Sequence, residues 1–550
     1  AANPITGNVM YAGTGEGFNN ADALRGDGVF RSTDSGESWN QLTSTRLGGA
    51  TPMTYVNRLA MTADGAVLLA ATGTGLYRSV DEGNTFALKV ATAPVFDVKT
   101  HPTVITLAVA SGSGWAKYST DGGSTWGTSL GLPAGRVELA WSPSTSSTVY
   151  ASVNNNGGEV YRSTNGGANF SLMGTGQTLL AGQGWYGNVI WVNPVNNNDV
   201  LVGGVDMYRS LDGGASFFKI GDWNQYQTNS VSAHADHHVI LAPRDYDGVL
   251  TKTIWFGNDG GLFQVNDLNL ATTTSGWTHI VGPGMTQLYG VAASNGGGTL
   301  RVLGGAQDNG TPLRSIDNVG AWTYIYGGDG GSVAIDPDNS NYLYGEYIQL
   351  QIVRSKNGGA TKAVPIDRPG VPAPGISPLL DSRSGGSALF IAPFILDPNN
   401  GDTMLAGGAS LWRSTNVRTA ENWPSWSAIK APLFAAGPVT QLISAIAVAP
   451  GSSDVIWVGH ESGALYKTSN GTAANPTWTP VTSPTLPARY VTRIIFDPNS
   501  SQVVYVTYGG FSANNVWKTT DGGVTWNPLP GSGINALPAV PVRAFAVHPN

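Results

Sequence analysis

The sequence predicts an all-β protein, a β-propeller of about eleven four-stranded blades arranged as two rings or as one large ring. A turn motif recurs along the whole chain, with about 40–55 residues between most copies. Short apolar segments fill the intervals, as expected of strands joined by tight turns. The composition combines 74 Gly with 17 Trp, 20 Tyr and 15 Phe, and the aromatic residues argue against disorder.

The turn motif reads aromatic, Arg or Lys, Ser or Thr, any residue, Asp or Asn, then Gly and an aromatic. The Asp or Asn side chain accepts backbone N–H groups and closes a hairpin, while Gly supplies a positive φ. We name this turn the Asp box and expect it to stabilise the fold rather than to react. Clear copies begin at Ser32, Ser79, Ser119, Ser163, Ser210 and Thr519, and weaker ones at Ser315, Ser355, Ser414 and Thr468. The copy near Asp267 is almost lost.

Each interval between boxes supplies the remaining strands of a blade. A first strand ends in Asp-Pro or a variant of it, as at 137–143 and 494–498. An apolar second strand ends in Gly, as at 68–73 and 254–257. The third strand carries the aromatic-Arg-Ser triplet, and the aromatic residue of the box opens the fourth strand.

The blades group along the chain around one stretch rich in Pro, Gly and Ser. We predict blades 1–8 within 1–364, a loop or linker at 365–387, and blades 9–11 within 388–550. Residues 542–549 read as a first strand with no blade after it, which could complete blade 1. The alternative is that the chain is part of a longer protein.

Charge and cysteine content exclude several partners. The net charge is −7 and the 29 Lys and Arg are scattered, so no basic stripe suits nucleic acid. No apolar run approaches the ~20 residues that span a bilayer. The chain has no Cys, which excludes disulfides and thiolate metal sites, and we expect no cofactor. Polar loops and few Lys favour a secreted or cell-surface protein.

Acidic residues mark the loops at the blade ends opposite the boxes, where loops from every blade converge. Asp259 and Asp329 stand between Gly or Asn residues and Asp308 is followed by Asn-Gly, and we predict these three as catalytic carboxylates. Glycoside hydrolysis needs two carboxyl groups that flank the scissile bond. Glu16 and Glu346 lie on equivalent loops and are predicted to bind substrate. The alternative is that Asp beside Gly simply forms turns.

Aromatic and histidine residues add two further candidates. Trp185, Tyr186 and Tyr326 lie outside the boxes and could stack on sugar rings, although each could equally pack inside the fold. His234, Asp236 and His238 would share one strand face at period two. Such a set suits a divalent metal or a buried hydrogen-bond network. We favour the network and predict no metal.

Asp boxes in a chain without Cys resemble the Asp-box propeller superfamily, which holds sialidases, sortilin-type propellers and glycoside hydrolase family 74. The resemblance covers nearly the whole chain. Family 74 enzymes cut xyloglucan-like β-glucans with two Asp residues, each in a Thr-Asp-x-Gly-Gly or Gly-Asp-x-Gly-Gly loop after a second strand. Gly257-Asn-Asp259-Gly-Gly261 partly matches this pattern, whereas the first-blade loop departs from it and carries Glu16.

This resemblance implies an exported glycoside hydrolase that uses paired carboxylates on a xyloglucan-like polysaccharide. The alternative is a propeller without catalytic activity that binds a protein or a glycan, or serves as a structural surface protein. Asp-box repeats specify the fold better than the activity, so both hypotheses stay open at this point.

Overall fold

The computed structural model describes residues 1–18, 24–46, 49, 51, 53–174, 176, 178–229, 231–281, 286–315, 322–367, 387–434, 440–531 and 536–548. Over these residues the chain is almost entirely β, with one α-helix, α1 (Trp223–Asn229), and short 3-10 turns at Leu268–Leu270 and Gly296–Gly298. It forms two compact units, Ala1–Met285 and Thr286–Asn550. Each described helix is too short to cross a membrane.

The first unit carries six consecutive antiparallel sheets among its described residues, of which the first has three strands and the other five have the predicted four. In every sheet the strands pair in chain order. Blades 1–3 are β1–β3 (Met10–Gly13, Val29–Ser32, Asn40–Gln41), β4–β7 (Val56–Met61, Leu68–Thr72, Gly75–Ser79, Ala87–Val90) and β8–β11 (Asp97–Thr100, Ala108–Ser111, Ala116–Ser119, Gly127–Thr128). Blades 4–6 are β12–β15 (Val137–Trp141, Val149–Val153, Glu159–Ser163, Ser171–Leu172), β16–β19 (Val189–Asn193, Asn196–Gly203, Met207–Ser210, Phe218–Gly221) and β20–β23 (His237–Leu241, Ile254–Asn258, Gly261–Val265, Trp277–His279).

The second unit carries five more four-stranded sheets and one short hairpin in its described part. Blades 7 and 8 are β24–β27 (Gly290–Ser294, Arg301–Gly305, Thr311–Ser315, Thr323–Tyr326) and β28–β31 (Val333–Ile335, Leu343–Glu346, Ile352–Ser355, Val364–Pro365). Blade 9 is β32–β35 (Phe394–Asp397, Asn400–Gly407, Leu411–Ser414, Ser427–Lys430), and the hairpin β36–β37 (Leu433–Phe434, Thr440–Gln441) follows it. Blades 10 and 11 are β38–β41 (Ile443–Ala449, Ser452–His460, Leu465–Thr468, Thr479–Val481) and β42–β45 (Val491–Asp497, Ser500–Tyr508, Val516–Thr519, Asn527–Pro528).

The hydrophobic core lies between neighbouring blades rather than at one centre. Strands β5, β9 and β13 are buried over their whole length. Val109 of blade 3, for example, belongs to one buried cluster with Leu139 and Val149 of blade 4. Because a single blade cannot bury both of its faces, each blade depends on its neighbour for stability.

The Asp box of blade 3 shows how the recurring turn closes. Both backbone and side chain of Thr125 donate to Asp121, from N to Oδ1 at 2.9 Å and from Oγ1 to Oδ2 at 2.6 Å. Ser119 Oγ donates to Asp121 Oδ1 and accepts the N–H of Gly123, which has a φ of +78°. The bond from Ser or Thr to the box side chain recurs in nine described boxes, at Asp34, Asp81, Asp121, Asn165, Asp212, Asn357, Asn416, Asn470 and Asp521.

Two further boxes are not among these nine. The box at Ser315 continues into 316–321, outside the described residues. In blade 6 Asp267 instead caps a 3-10 turn, accepting the N–H of Asn269 at 2.9 Å, and pairs with Lys252 at 3.0 Å. The carboxylate is therefore kept in this blade, but it closes a different turn.

In several blades the basic residue before the box reaches the turn of the next blade. Arg78 Nε donates to Gly122 O at 2.9 Å, and Lys467 Nζ donates to Gly522 O at 2.6 Å. Arg354 likewise donates to Val417 O in blade 9 at 2.5 Å. Hydrogen bonds from charged donors are stronger than neutral ones, so these contacts help to fix the position of one blade against the next. They give the Arg or Lys of the motif a structural role.

The predicted linker and closing strand remain predictions. Most of 365–387 lies outside the described residues, which resume at 387. The segment predicted to close blade 1 forms no strand over its described part, 542–548, and Val542 O there accepts the hydroxyl of Thr492. Within the first unit, the first residues of the chain pair with β1, where Ala2 bridges Met10 and the N–H of Tyr11 donates to Ala1 O at 2.7 Å.

Removing a box carboxylate should lower stability and leave the loops at the opposite blade end unchanged. We predict that Asp121→Ala lowers Tm by about 2–4 °C, because it removes the acceptor of one capping-type turn in a large unit. Asp121→Asn keeps one acceptor oxygen and should lower Tm by less. Loss of ligand binding or activity in the folded Asp121→Ala variant would contradict this assignment.

The same boxes should make stability depend on acid pH. Hydrogen bonds from their own turns lower the pKa of Asp34, Asp121 and Asp212 to about 2. A folded-state pKa below that of the unfolded chain stabilises the protein above about pH 4, and this contribution falls as pH drops towards 2. The Tm difference between wild type and Asp121→Asn should therefore shrink between pH 4 and pH 2. A difference that stays constant over this range would refute the assignment.

Candidate active site

Asp259 lies at the tip of the hairpin that joins β21 and β22, at the end of blade 6 opposite its third-to-fourth-strand turn. Asn258 fixes this tip, since its Oδ1 accepts the N–H of Gly260 at 3.1 Å and its Nδ2 donates to His234 O at 3.2 Å. Position 260 has no space for a side chain, because an added Cβ would lie 2.5 Å from His234 Cβ. The Asn-Asp-Gly-Gly sequence thus presents the Asp259 side chain from a fixed turn.

Two polar side chains hold the carboxylate of Asp259. His238 Nε2 lies 2.7 Å from Oδ1, and the Tyr186 hydroxyl donates to Oδ1 and Oδ2 at 3.3 and 3.2 Å. The Tyr186 and His238 rings meet edge to face at 4.8 Å. An ionised carboxylate can only accept, so with Asp259 ionised His238 carries its proton on Nε2. The side chains of Asp259 and His238 remain 13% and 33% exposed, which leaves this set open to a ligand.

Asp236 is a second carboxylate at this place, and sequence reasoning did not assign it there. A carboxylate oxygen of Asp236 lies within 4.8 Å of one from Asp259. The predicted alternation of His234, Asp236 and His238 on one strand is wrong, because β20 begins at His237 and Asp236 has a φ of +60°. His234 lies before the strand, and its ring centroid is 5.0 Å from that of Tyr226. A residue with a left-handed backbone ahead of a strand interrupts the alternation of side chains between the two strand faces, so a period-two pattern does not apply there.

The aromatic residues predicted for sugar stacking take different positions. Trp185 is 46% exposed, and its ring centroid lies 5.6 Å from that of Tyr186. Both belong to the loop between β15 and β16, at the same end of the sheets as Asp259. Trp185 therefore offers an apolar surface next to the carboxylates. Glu16 is half-buried in the loop between β1 and β2, where its N–H donates to Leu24 O at 2.9 Å.

In the second unit, Asp308 and Asp329 come together as predicted neighbours. The N–H of Asp308 donates to Asp329 Oδ1 at 3.1 Å, and Asp308 has a φ of +62°. Tyr326 meets Tyr347 edge to face at 6.3 Å. Burial, followed by the charge of Asp329, raises the pKa of Tyr347. Tyr347 is thus a further member of this group that the sequence did not single out.

Glu346 is fully buried, and its carboxylate serves the fold. Oε1 accepts the N–H groups of Leu350 and Ala392 at 3.1 and 2.9 Å, and Oε2 accepts that of Ser332 at 3.2 Å. Burial raises the pKa of Glu346 to about 8. The substrate-binding role predicted for it does not suit a side chain with no exposed surface.

Comparison with known proteins supports the fold more strongly than the chemistry. No family model matches the sequence. A curated Paenibacillus sp. protein named xyloglucanase is 26% identical over 215 residues, which are 34% of this chain and 20% of that protein. The chain therefore spans about a fifth of the length of this relative.

A solved structure of a glycoside hydrolase family 74 enzyme shares the architecture. An ancestral enzyme of this family aligns with a TM-score of 0.57 and 16% identity, over 96% of this chain and 82% of that one. An enzyme of the same family from Niastella koreensis aligns with a TM-score of 0.41 and 18% identity, over 96% and 84% of the two chains. The ancestral structure and the repeated sheets confirm the predicted β-propeller fold, which resembles that of family 74.

Proposed function

We propose that the chain is a glycoside hydrolase that acts on a β-glucan of the xyloglucan type through Asp259. The observation that supports this most is the Asp259 carboxylate itself, oriented by His238 and Tyr186 and still partly exposed. The sequence match to a xyloglucanase and the shared propeller fold agree with this choice of substrate class. A secreted or cell-surface location follows from a polysaccharide substrate and is part of the proposal.

Hydrolysis of a glycosidic bond requires one carboxyl group that protonates the leaving oxygen and a second that acts as base or nucleophile. Asp259 is the better candidate for direct contact with substrate, since Asp236 is only 7% exposed. Asp308 and Asp329 offer a second pair of carboxyl groups in the other unit. We propose Asp259, Asp308 and Asp329 as catalytic carboxylates and add Asp236 as the close partner of Asp259.

Substrate binding in this proposal uses the exposed aromatic surface beside Asp259. The flat face of Trp185 can pack on the apolar face of a sugar ring, while the Tyr186 hydroxyl holds the carboxylate. Tyr326 is proposed for a similar contact in the second unit, near Asp329 and Asp308. Glu16 is retained as a polar contact on the first-blade loop.

We predict that Asp259→Asn lowers turnover by at least ~100-fold, the lower end for loss of a general acid or base. Asn keeps the size of the side chain and removes only the ionisable group, so Tm should change little. Release of reducing ends from xyloglucan measures the turnover. Wild-type turnover in this variant would eliminate Asp259 as a catalytic residue.

Three further Asp→Asn variants complete the design. Asp121→Asn changes a box carboxylate and should keep full turnover. Asp236→Asn and Asp329→Asn should each lower turnover if their carboxyl groups take part, and Asn tolerates the left-handed backbone at position 236. A folded wild type that binds glycan but releases no reducing ends would favour the binding propeller instead.

A further inference from the structure

The loop that carries Tyr186 is held by an arginine at the start of blade 4. Tyr186 lies in the connection from β15 to β16, whose last part, residues 181–188, contains no strand. Arg136 stands directly before β12 of blade 4, and its Nη1 donates to the carbonyl oxygens of Trp185 and Tyr186 at 3.0 and 2.5 Å. Binding two successive carbonyls limits rotation of the peptide between them, and therefore the direction of the Tyr186 side chain.

Arg136 is itself fixed from two sides. Its Nη2 donates to Glu138 Oε1 at 2.8 Å, and the Phe18 ring lies over its guanidinium at 4.2 Å. Both partners of this ion pair are buried, with 7% and 2% of their side chains exposed. Arg58 binds the other carboxylate oxygen of Glu138 at 3.1 Å. The guanidinium is thus confined to a single orientation by packing and charge.

Tyr186 connects Arg136 to the proposed catalytic carboxylate. Arg136 binds the Tyr186 backbone, and the Tyr186 hydroxyl binds both oxygens of Asp259. We infer that Arg136, oriented by Glu138, is a positioning residue that sets Tyr186 against Asp259. The kinetic part of this inference rests on the proposed hydrolase function, whereas the ordering of the loop does not.

The chain offers a matched control for the loss of a buried arginine. Arg209 is also 7% exposed, and it pairs with Asp199 through two hydrogen bonds of 2.8 and 2.9 Å. It donates to a carbonyl as well, that of Leu268 at 2.9 Å. This contact lies at the other end of the blades, away from the Tyr186 loop. Both variants lose an arginine and leave a buried carboxylate, but only one loses the Tyr186 contact.

The first measurement is hydrogen–deuterium exchange of the whole chain without ligand. In Arg136→Met the peptide that covers 181–188 should exchange about 10-fold faster than in wild type, since its tertiary anchor is gone. In Arg209→Met the same peptide should exchange at the wild-type rate. If Arg136→Met does not fold, Arg136→Lys replaces it, because a lysine keeps the charge but cannot reproduce the guanidinium fork.

The second measurement is a double-mutant cycle on turnover with Tyr186→Phe. Arg136→Met should lower kcat by about 10- to 100-fold, as expected of a misplaced group, with KM within about twofold. The double variant should be no slower than the slower single variant, because both changes break one chain of contacts. If the kcat losses of the two single variants multiply in the double variant, the inference is overturned, because Arg136 then acts independently of the Tyr186 hydroxyl.

The two measurements separate this inference from the proposed function. Wild-type exchange of the 181–188 peptide in Arg136→Met overturns the positioning role whatever the activity. Faster exchange in a protein whose wild type cleaves no polysaccharide supports the positioning of the loop and rejects the hydrolase. Equal acceleration in Arg136→Met and Arg209→Met would show a general loss of stability and also overturns the inference.

Discussion

The fold depends on one hydrogen-bonded turn, in which a Ser or Thr hydroxyl and an Asp or Asn side chain close the link between third and fourth strands. A blade alone cannot cover its apolar faces, so its stability depends on correct spacing from its neighbours. The basic residue next to the box provides part of this spacing, as Arg78 does by binding Gly122 O. Turn closure and blade contact therefore use adjacent residues of one short motif, which accounts for its repetition.

Because the boxes stabilise one end of the blades, the loops at the other end are available for polar and strained residues. Asp236 and Asp308 both have a positive φ, which is uncommon for residues other than Gly, although Ser35 and Glu82 in two of the boxes have one as well. In the first unit, charged groups support the loop that carries Tyr186, since Arg136 binds two of its carbonyls and is held by Glu138, which Arg58 links to Asp97. The separation of the stabilising turns from the loops that carry the proposed catalytic residues explains how the fold tolerates close carboxylates.

The sequence was sufficient to predict the features that hydrogen bonds between nearby residues determine, above all the box turns. Even the weak boxes at Asn357, Asn416 and Asn470 close as predicted, because their hydrogen bonds span only a few residues. The position of Asp259 at a hairpin tip followed from strand spacing. Strand spacing could not predict the burial of Glu346 or the approach of Asp236 to Asp259, since both depend on contacts between distant segments. The use of Asp267 as a cap in blade 6 was not predicted although its bond to Asn269 is local, because the box sequence around it is almost lost.

The central claim is that the oriented carboxylate of Asp259 belongs to a polysaccharide hydrolase and not to a binding propeller. Release of reducing ends by the wild-type chain across a panel of soluble polysaccharides tests it most directly. We expect a xyloglucan-type β-glucan to be cut into shorter chains, with little release from polysaccharides of other linkage. A correctly folded protein that releases no reducing ends from any member of the panel would contradict the claim.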